Sequence, residues 1–338
     1  MDCLLKHCSQ LKSLSIELTY FDNHRPLPVE KLCHDIARAY EGQLTELKLK
    51  FHRKPLIPEA ITNLIWENHG SHLTSLDLSG YPITNASLIF LGQSVSSNLK
   101  HLNLSKCLEG GLPSLSAFST LLSTCGGGLR TLQLDSNDQV DDSVAMIIAT
   151  HCHGLRKLSL RKTTTSNVGL KKILETNGYS LRVLYVSELS VPQGAFKEIT
   201  HFCPYLVELD AGWSGTLESP QERVIIDEFS EFMRLRGHRI EILTVDGWPN
   251  ICHVLTIIVT YERTLSQITL SDDEKLSDQY LRDVLQPCKK LHRVHILLPF
   301  PYQAEGLSDD ALVETAGKNY EQGSEMDQPR TYTFDMRR

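Results

Sequence analysis

Residues 129–160 read LRTLQLDSNDQVDDSVAMIIATHCHGLRKLSL, and the phrase Leu-x-x-Leu-x-Leu occurs twice in this stretch, 26 residues apart. The same phrase, or a variant with other aliphatic residues, starts at positions 11, 44, 73, 99, 129, 155, 181, 206, 240, 265 and 291. The commonest steps between these positions are 25 and 26 residues. A fixed period of this length predicts an array of stacked structural repeats.

Each repeat has the pattern of one short strand followed by one helix. Residues 132–134 alternate between apolar and polar, which is typical of a strand with one buried face. After a polar run, Asp141 or Asp142 can cap a helix, and residues 144–148 place three aliphatic side chains on one helical face. A strand and helix of this size cannot bury their apolar faces alone, so neighbouring repeats must stack.

The predicted fold is therefore α/β, a leucine-rich-repeat solenoid of about eleven repeats. Parallel strands would line a concave face and helices the convex face, which curves the stack into a horseshoe. The leucines would point between sheet and helices, and the residues between them into the concave cavity. Residues 1–318 are assigned to this solenoid as one domain, because each repeat contacts only its neighbours. The polar residues 319–338 are predicted to form a flexible tail.

The details of the repeat resemble the cysteine-containing class of leucine-rich repeats. In that class Leu-x-x-Leu-x-Leu is followed by a Cys or small residue, then Ile/Leu-Ser/Thr-Asp, then a helix ending in Cys-x-x-Leu. Residues 99–107, 152–155 and 276–291 carry this pattern. The class is similar to the substrate-binding part of F-box/leucine-rich-repeat proteins, over about residues 8–317. The resemblance implies a scaffold, not an enzyme, that captures a protein substrate for an SCF-type ubiquitin ligase.

The F-box, which docks on the SCF adaptor, is not found. Residues 27–32, LPVEKL, echo its Leu-Pro-x-Glu opening, but they lie inside the first repeat, and the next strand phrase starts at Leu44. We expect binding to the SCF adaptor and cullin only if an F-box lies upstream, in which case the chain is a shortened product or a fragment. The alternative is a free-standing adaptor or inhibitor unrelated to ubiquitination, with residues 1–7 as a minimal helical cap.

Composition and charge exclude several classes of partner. The net charge of -7 argues against nucleic acid, which favours a basic face. The longest apolar stretch, residues 251–261, is interrupted by His253 and is shorter than the ~20 residues of a membrane span. The first eight residues lack the apolar core of a signal peptide. We therefore expect no membrane partner and a cytoplasmic and/or nuclear location.

Five of the nine cysteines recur at one phase of the repeat, just before its first leucine: Cys8, Cys125, Cys152, Cys203 and Cys288. A small buried thiol packs there like a compact apolar group, so these cysteines are predicted to be reduced and structural. No Cys-x-x-Cys pair is present, and nothing sets a thiol beside a base and an orienting group. We therefore expect no metal, no cofactor and no catalytic residue.

The candidate partner site lies in the repeats that begin at 181, 206 and 240. Concave positions of the middle repeats are small and polar, whereas these repeats carry aromatic and acidic residues, a combination typical of binding anchors. The predicted partner-binding residues are Tyr185, Asp210, Trp213, Asp246 and Trp248. The longest repeat should add a loop at about residues 214–222 beside them. Alternatively, both tryptophans fill gaps where Gly212 and Gly247 bend the chain.

Overall fold

The structure, a computed structural model, describes residues 10–18, 29–39, 42–51, 59–108, 114–189, 194–212, 219–248, 250–271, 288–298 and 330–335. The chain divides into two compact parts, which we call the N-terminal body (Met1–Leu181) and the C-terminal body (Arg182–Arg338). Each body alternates strands with helices along the sequence. The assignment of residues 1–318 to a single domain stays a prediction.

The described part of the N-terminal body contains six strands and six helices. The strands are β1 (Ser13–Leu18), β2 (Glu46–Phe51), β3 (Ser75–Asp77), β4 (His101–Asn103), β5 (Thr131–Gln133) and β6 (Lys157–Ser159), each parallel to the next. The helices are α1 (Val29–Ala39), α2 (Glu59–His69), α3 (Asn85–Ser94), α4 (Leu115–Cys125), α5 (Asp142–His151) and α6 (Asn167–Asn177). The echo of an F-box opening thus falls partly in α1, the helix of the first repeat.

The C-terminal body continues the same order. Its parallel strands are β7 (Val183–Tyr185), β8 (Glu208–Asp210), β9 (Ile242–Val245), β10 (Gln267–Ser271) and β11 (Arg293–Leu298). Its described helices are α7 (Ala195–Phe202), α8 (Ser219–Arg236) and α9 (Ile251–Tyr261). A last strand, β12 (Arg330–Asp335), pairs with β11 in the antiparallel direction.

The leucines of the repeat form the core, as the sequence predicts. The second leucine of each phrase stands in register with that of the next repeat: Leu47, Leu76, Leu102, Leu132 and Leu158. In these five leucines at most 1% of the surface is exposed. The equivalent row in the C-terminal body is Leu184, Leu209, Leu243, Ile268 and Val294. The predicted α/β leucine-rich-repeat solenoid is confirmed.

Six strands, β3 to β7 and β9, leave the sheet through a residue in the left-handed conformation, two positions after the last aliphatic residue of the phrase. These residues are Gly80, Lys106, Ser136, Lys162, Glu188 and Gly247, with φ between 54° and 78°. The turn extends the backbone ladder, because the amide of Lys106 donates to Asp135 O at 2.8 Å and that of Ser136 to Arg161 O at 2.8 Å. Non-glycine residues adopt this conformation at a steric cost.

Helix starts are capped both within a repeat and between repeats. Asp141 caps α5 by accepting hydrogen bonds from the amides of Ser143 and Val144, which confirms one of the two predicted caps. Asp142 does not cap its own helix and instead contacts the next repeat. Its carboxylate accepts a hydrogen bond from the amide of Ser166 at 2.8 Å and another from the Ser166 hydroxyl at 2.6 Å. Because Ser166 is the cap of α6, Asp142 fixes the start of the helix in the next repeat.

The cysteines at the repeat junction are buried thiols. Cys125, Cys152 and Cys203 have no exposed surface and Cys288 has 5%. Burial raises the pKa of each of these four thiols to about 12, so the neutral form predominates at physiological pH. The prediction of reduced, structural cysteines is confirmed for these four, and Cys8 lies outside the described residues.

Two expectations concern irregular segments. The flexible tail of residues 319–338 stays a prediction, although residues 330–335 form β12, whose alternating β-branched and aromatic residues favour a strand on the open edge of β11. The predicted loop at 214–222 is wrong for residues 219–222, because they begin Ser219–Arg236, a helix of 18 residues. Residues 1–9, 213–218 and 272–287 lie outside the described residues.

Replacing Lys106 by glycine should raise the free energy of unfolding by about 0.5–1 kcal/mol, because glycine adopts a φ of 57° without steric cost. Urea unfolding of Lys106→Gly measures this. Lys172→Gly, inside α6, is the control and should lower stability by about 1 kcal/mol. A similar loss at both positions would contradict the left-handed turn.

Candidate functional site

The residues that alternate with the buried aliphatic row form the strand face of the C-terminal body. One line across it is Val183, Glu208, Ile242, Gln267 and Arg293, and the next is Tyr185, Asp210, Thr244, Thr269 and His295. Since successive side chains of a strand point to opposite sides, these residues face away from the aliphatic core. The predicted site residues Tyr185 and Asp210 are therefore neighbours on one face.

Tyr185 and Asp210 differ in how much they present to solvent. Tyr185 is half-buried, and its hydroxyl donates a hydrogen bond to Glu208 Oε1, which fixes the ring over β8. Asp210 is buried, with 5% of its surface exposed, and its Oδ1 accepts a hydrogen bond from the amide of Gly212 at 3.3 Å. Tyr185 thus keeps part of its ring exposed, whereas Asp210 is buried at the end of β8.

Asp246 lies against the same turn. An added Cβ on Gly212 would come within 3.2 Å of Asp246 Cβ and of Asp246 O, so a side chain there would force the two segments slightly apart. Asp246 is half-buried and directly precedes Gly247, the left-handed residue that follows β9. The structure therefore brings Asp210 and Asp246 together around Gly212, next to Tyr185 in the neighbouring strand.

Trp248 does not belong to this surface. Only 5% of the surface of Trp248 is exposed, and its indole N–H donates a hydrogen bond to Ala211 O at 2.7 Å. The centre of its ring lies 5.4 Å from the ring centre of Phe196 and 5.1 Å from that of Phe229. The expectation of an exposed Trp248 anchor is wrong, because helices α7 and α8 bring two phenylalanines to its ring. Trp248 fills a gap, as the alternative reading proposed. Trp213 lies outside the described residues.

The sequence analysis did not identify a second group of side chains, which lies at the opposite ends of the strands and consists of Arg182, Tyr205 and Arg239. The guanidinium carbon of Arg182 lies 4.9 Å from the centre of the Tyr205 ring, and that of Arg239 lies 5.5 Å from it. Both arginines are exposed and Tyr205 is half-buried. The sequence signal is partial: Tyr205 and Arg239 share the position just before the first aliphatic residue of a repeat, whereas Arg182 comes just after such a residue.

A carboxylate supports the helix beneath this face. Gly194 is the N-cap of α7, with φ of 88° and no side chain to cap the helix. Glu228 of α8 takes this role, because its two carboxylate oxygens accept the Gly194 amide at 2.8 and 3.1 Å. Burial raises the pKa of Glu228 above its ordinary value, and outweighs the lowering by that hydrogen bond and by Lys197.

The described part of the chain contains neither a candidate metal site nor a candidate membrane-spanning helix. Its His, Cys, Asp and Glu side chains form no group of three or more that could hold a metal ion. Among the helices that the structure describes, none is both long and apolar enough to cross a membrane.

Comparison with known proteins agrees with the geometry. The bovine protein F-box/LRR-repeat protein 4 is 31% identical over 159 residues, which are 44% of this chain and 24% of that protein. This chain is a leucine-rich-repeat protein that resembles F-box/LRR proteins. The match spans about a quarter of the bovine protein's length. No family model matches the chain.

Two solved structures have the same fold. The leucine-rich-repeat protein LegL7 from Legionella pneumophila superposes with a TM-score of 0.52 at 14% identity, covering 90% of this chain and 98% of LegL7. A chain of the yeast Rad7 and Elc1 complex superposes with a TM-score of 0.51 at 14% identity, covering 85% of this chain and 78% of that chain. At this level of identity the two likenesses establish the fold alone.

Truncation of Trp248 to alanine should lower the free energy of unfolding by about 3–5 kcal/mol, because it empties a site lined by two phenylalanines. Trp248→Phe should lose less, since an aromatic ring remains. Urea unfolding is the measurement, and Tyr179→Ala, at a position 71% exposed, is the control, with a loss below about 1 kcal/mol. Equal losses for Trp248→Ala and Tyr179→Ala would contradict the burial.

The stability conferred by Glu228 should depend on pH. Its folded-state pKa is raised, so its contribution is fully present below the unfolded-state value and is lost as pH rises through the folded-state value. Glu228→Gln keeps an acceptor for the Gly194 amide and removes the charge. The variant should therefore gain stability relative to the parent between pH 4 and pH 7 (approximate limits set by the ordinary glutamate pKa).

Urea unfolding at both pH values tests this, with Asp227→Asn as control, because Asp227 is an exposed neighbour on α8. The stability difference between Asp227→Asn and the parent should change less with pH. A difference for Glu228→Gln that is the same at both pH values would contradict the raised pKa.

Proposed function

We propose that this protein is a non-enzymatic scaffold that holds a protein substrate for an SCF-type ubiquitin ligase. The observation that carries the proposal is the 159-residue similarity to F-box/LRR-repeat protein 4, whose name joins a repeat array to an F-box. The yeast neighbour of the same fold was solved as a complex of two proteins, which fits a role in protein recognition. Contact with the SCF adaptor and cullin would require an F-box elsewhere in the full protein.

The proposed partner surface is the strand face of the C-terminal body around Tyr185, with Asp210 and Asp246 beside it. Trp213, which lies outside the described residues, belongs to the proposal on its sequence position alone. Tyr185 supplies a large ring that the Glu208 hydrogen bond holds in place, so little conformational entropy is lost on binding. Asp246 supplies negative charge at the rim. Trp248 is removed from the set of contact residues and serves as packing beneath the turn. The concave position of this face and a cytoplasmic and/or nuclear location belong to the same proposal.

A second candidate function is that of a free-standing adaptor or inhibitor with no link to ubiquitination. The superposition on LegL7 favours it, because the fold shared with this chain takes up 98% of the LegL7 chain. A repeat array of this extent can therefore stand as a protein chain without a further module. The two candidates differ in whether adaptor and cullin accompany the captured partner.

Affinity capture from cell lysate, followed by mass spectrometry, should recover a protein partner with the parent chain. The partner should be lost or strongly reduced with Tyr185→Ala/Asp246→Ala, which removes the ring and the rim charge. The matched control is His101→Ala/Gln133→Ala, which changes two strand-face positions of the N-terminal body and should retain the partner. Circular dichroism and urea unfolding establish that all three proteins are equally folded.

The composition of the captured material separates the candidates. SCF adaptor and cullin subunits beside the partner support the ligase role, whereas a partner recovered without them supports the free-standing adaptor or inhibitor. Equal recovery with Tyr185→Ala/Asp246→Ala and with the parent would contradict the placement of the site.

A further inference from the structure

Arg182, Tyr205 and Arg239 form a cluster that we call the arginine clamp. Each residue precedes a different strand of the C-terminal body, β7, β8 and β9 respectively, so the cluster lies at the amino ends of the strands, opposite the turn that holds Asp246. The two guanidinium carbons lie 4.9 and 5.5 Å from the centre of the one tyrosine ring. Neither arginine is buried by this contact, since both remain exposed.

Stacking on the ring prepares both arginines for binding. A guanidinium over an aromatic face is held by the cation–π attraction, and its N–H groups lie at the edges of the planar group. Those N–H groups match the two oxygens of a carboxylate and can donate two parallel hydrogen bonds to it. Because the ring already restricts the side chains, less conformational entropy is lost when an anion binds.

The surroundings of the clamp favour an anion as well. Exposed cations occur at the matching position of the next two repeats, namely Arg263 after α9 and Lys289 and Lys290 before β11. This local excess of positive charge stands out in a chain whose net charge is -7. The acids at the same ends of the described strands are fewer, namely Glu208, Glu241 and Glu262 against five exposed cations, and of these three acids only Glu241 is fully exposed.

We propose that the arginine clamp binds an acidic segment of the protein partner through two carboxylates, one on each guanidinium. This inference rests on the proposed function, since it specifies the chemistry of part of the partner. The distances to the ring centre place the two guanidinium carbons at most about 10 Å apart, and side chains two positions apart in an extended peptide are about 7 Å apart. An extended Glu-x-Glu sequence therefore reaches both arginines.

Fluorescence anisotropy with a labelled peptide that contains Glu-Ala-Glu between glycine and serine residues tests the clamp directly. The peptide should bind the parent chain, and binding should weaken as salt is added, because exposed charges are screened. A peptide with Gln-Ala-Gln should not bind. Arg182→Gln/Arg239→Gln should weaken binding by about tenfold or more, since both charge-assisted contacts are lost.

The control is Arg234→Gln, which removes one exposed arginine of the same body that lies on α8 and pairs with Glu231. It should leave the affinity for the Glu-Ala-Glu peptide unchanged. An equal loss of affinity in Arg234→Gln would mean that general charge attraction is responsible, and would overturn the clamp.

Two further variants separate geometry from charge. Arg182→Lys/Arg239→Lys keeps both charges but loses the planar fork, and Tyr205→Leu keeps the arginines but loses the ring. Both should weaken peptide binding clearly, whereas Tyr205→Phe, which retains the ring, should not. Full binding by the lysine variant would overturn the proposal. Binding of a matched phosphoserine peptide without binding of the Glu-Ala-Glu peptide would also overturn it, in favour of a phosphorylated partner.

The peptide assay tests the arginine clamp and the capture experiment tests the proposed function, so a negative result in one does not imply a negative result in the other. If no peptide binds while Tyr185→Ala/Asp246→Ala still loses the captured protein, the clamp is wrong and the proposed function stands. If the Glu-Ala-Glu peptide binds as expected but lysate yields no protein partner, the proposed function is wrong. Loss of the captured protein in Arg182→Gln/Arg239→Gln, together with peptide binding by the parent, would support both.

Discussion

Within each body, the backbone hydrogen bonds that join one strand to the next are the interaction on which the rest of the structure depends. From β3 to β8 each strand has only three residues, too few to form a stable element alone. The ladder holds because a row of aliphatic side chains with almost no exposed surface lies beneath β2 to β6 and β7 to β11, and because the left-handed turns add further bonds, such as that from Lys106 to Asp135. Because the aliphatic residues point to the helix side of the sheet, the alternate side chains of each strand point to its opposite face.

Structural features that recur at the same position of each repeat could be predicted from the sequence. Features that depend on contacts between different positions of the repeat could not. The aligned leucines and the Asp141 cap recur with the repeat, so one copy predicts the others. The burial of Trp248 depends on Phe196 and Phe229, which lie in two other helices at positions that the repeat does not define. β12 was missed because it lacks the leucine phrase, although Thr331 to Phe334 alternate as a strand does.

The candidate site was predicted in part for the same reason. Tyr185 and Asp210 share a strand-face position in successive repeats, so the period alone makes them neighbours. Whether each is exposed is decided locally, by the Glu208 hydrogen bond for Tyr185 and by the turn at Gly212 for Asp210. The arginines over Tyr205 carry no motif, and only their distances to the ring distinguish them from ordinary surface charges. The two proposed contact regions lie at opposite ends of strands of three or four residues, which are about 10–13 Å long.

Asp142 and Glu228 each belong to one repeat and complete the helix of another, in opposite directions along the chain. Repeat proteins change length in evolution by gaining or losing whole copies, and the leucine register would survive such an event anywhere. A copy inserted between α5 and α6 would separate Asp142 from Ser166, and one inserted between α7 and α8 would separate Gly194 from Glu228. An added copy at either junction would need its own equivalent carboxylate to keep both helix starts satisfied, although the leucine pattern alone would make every junction equivalent.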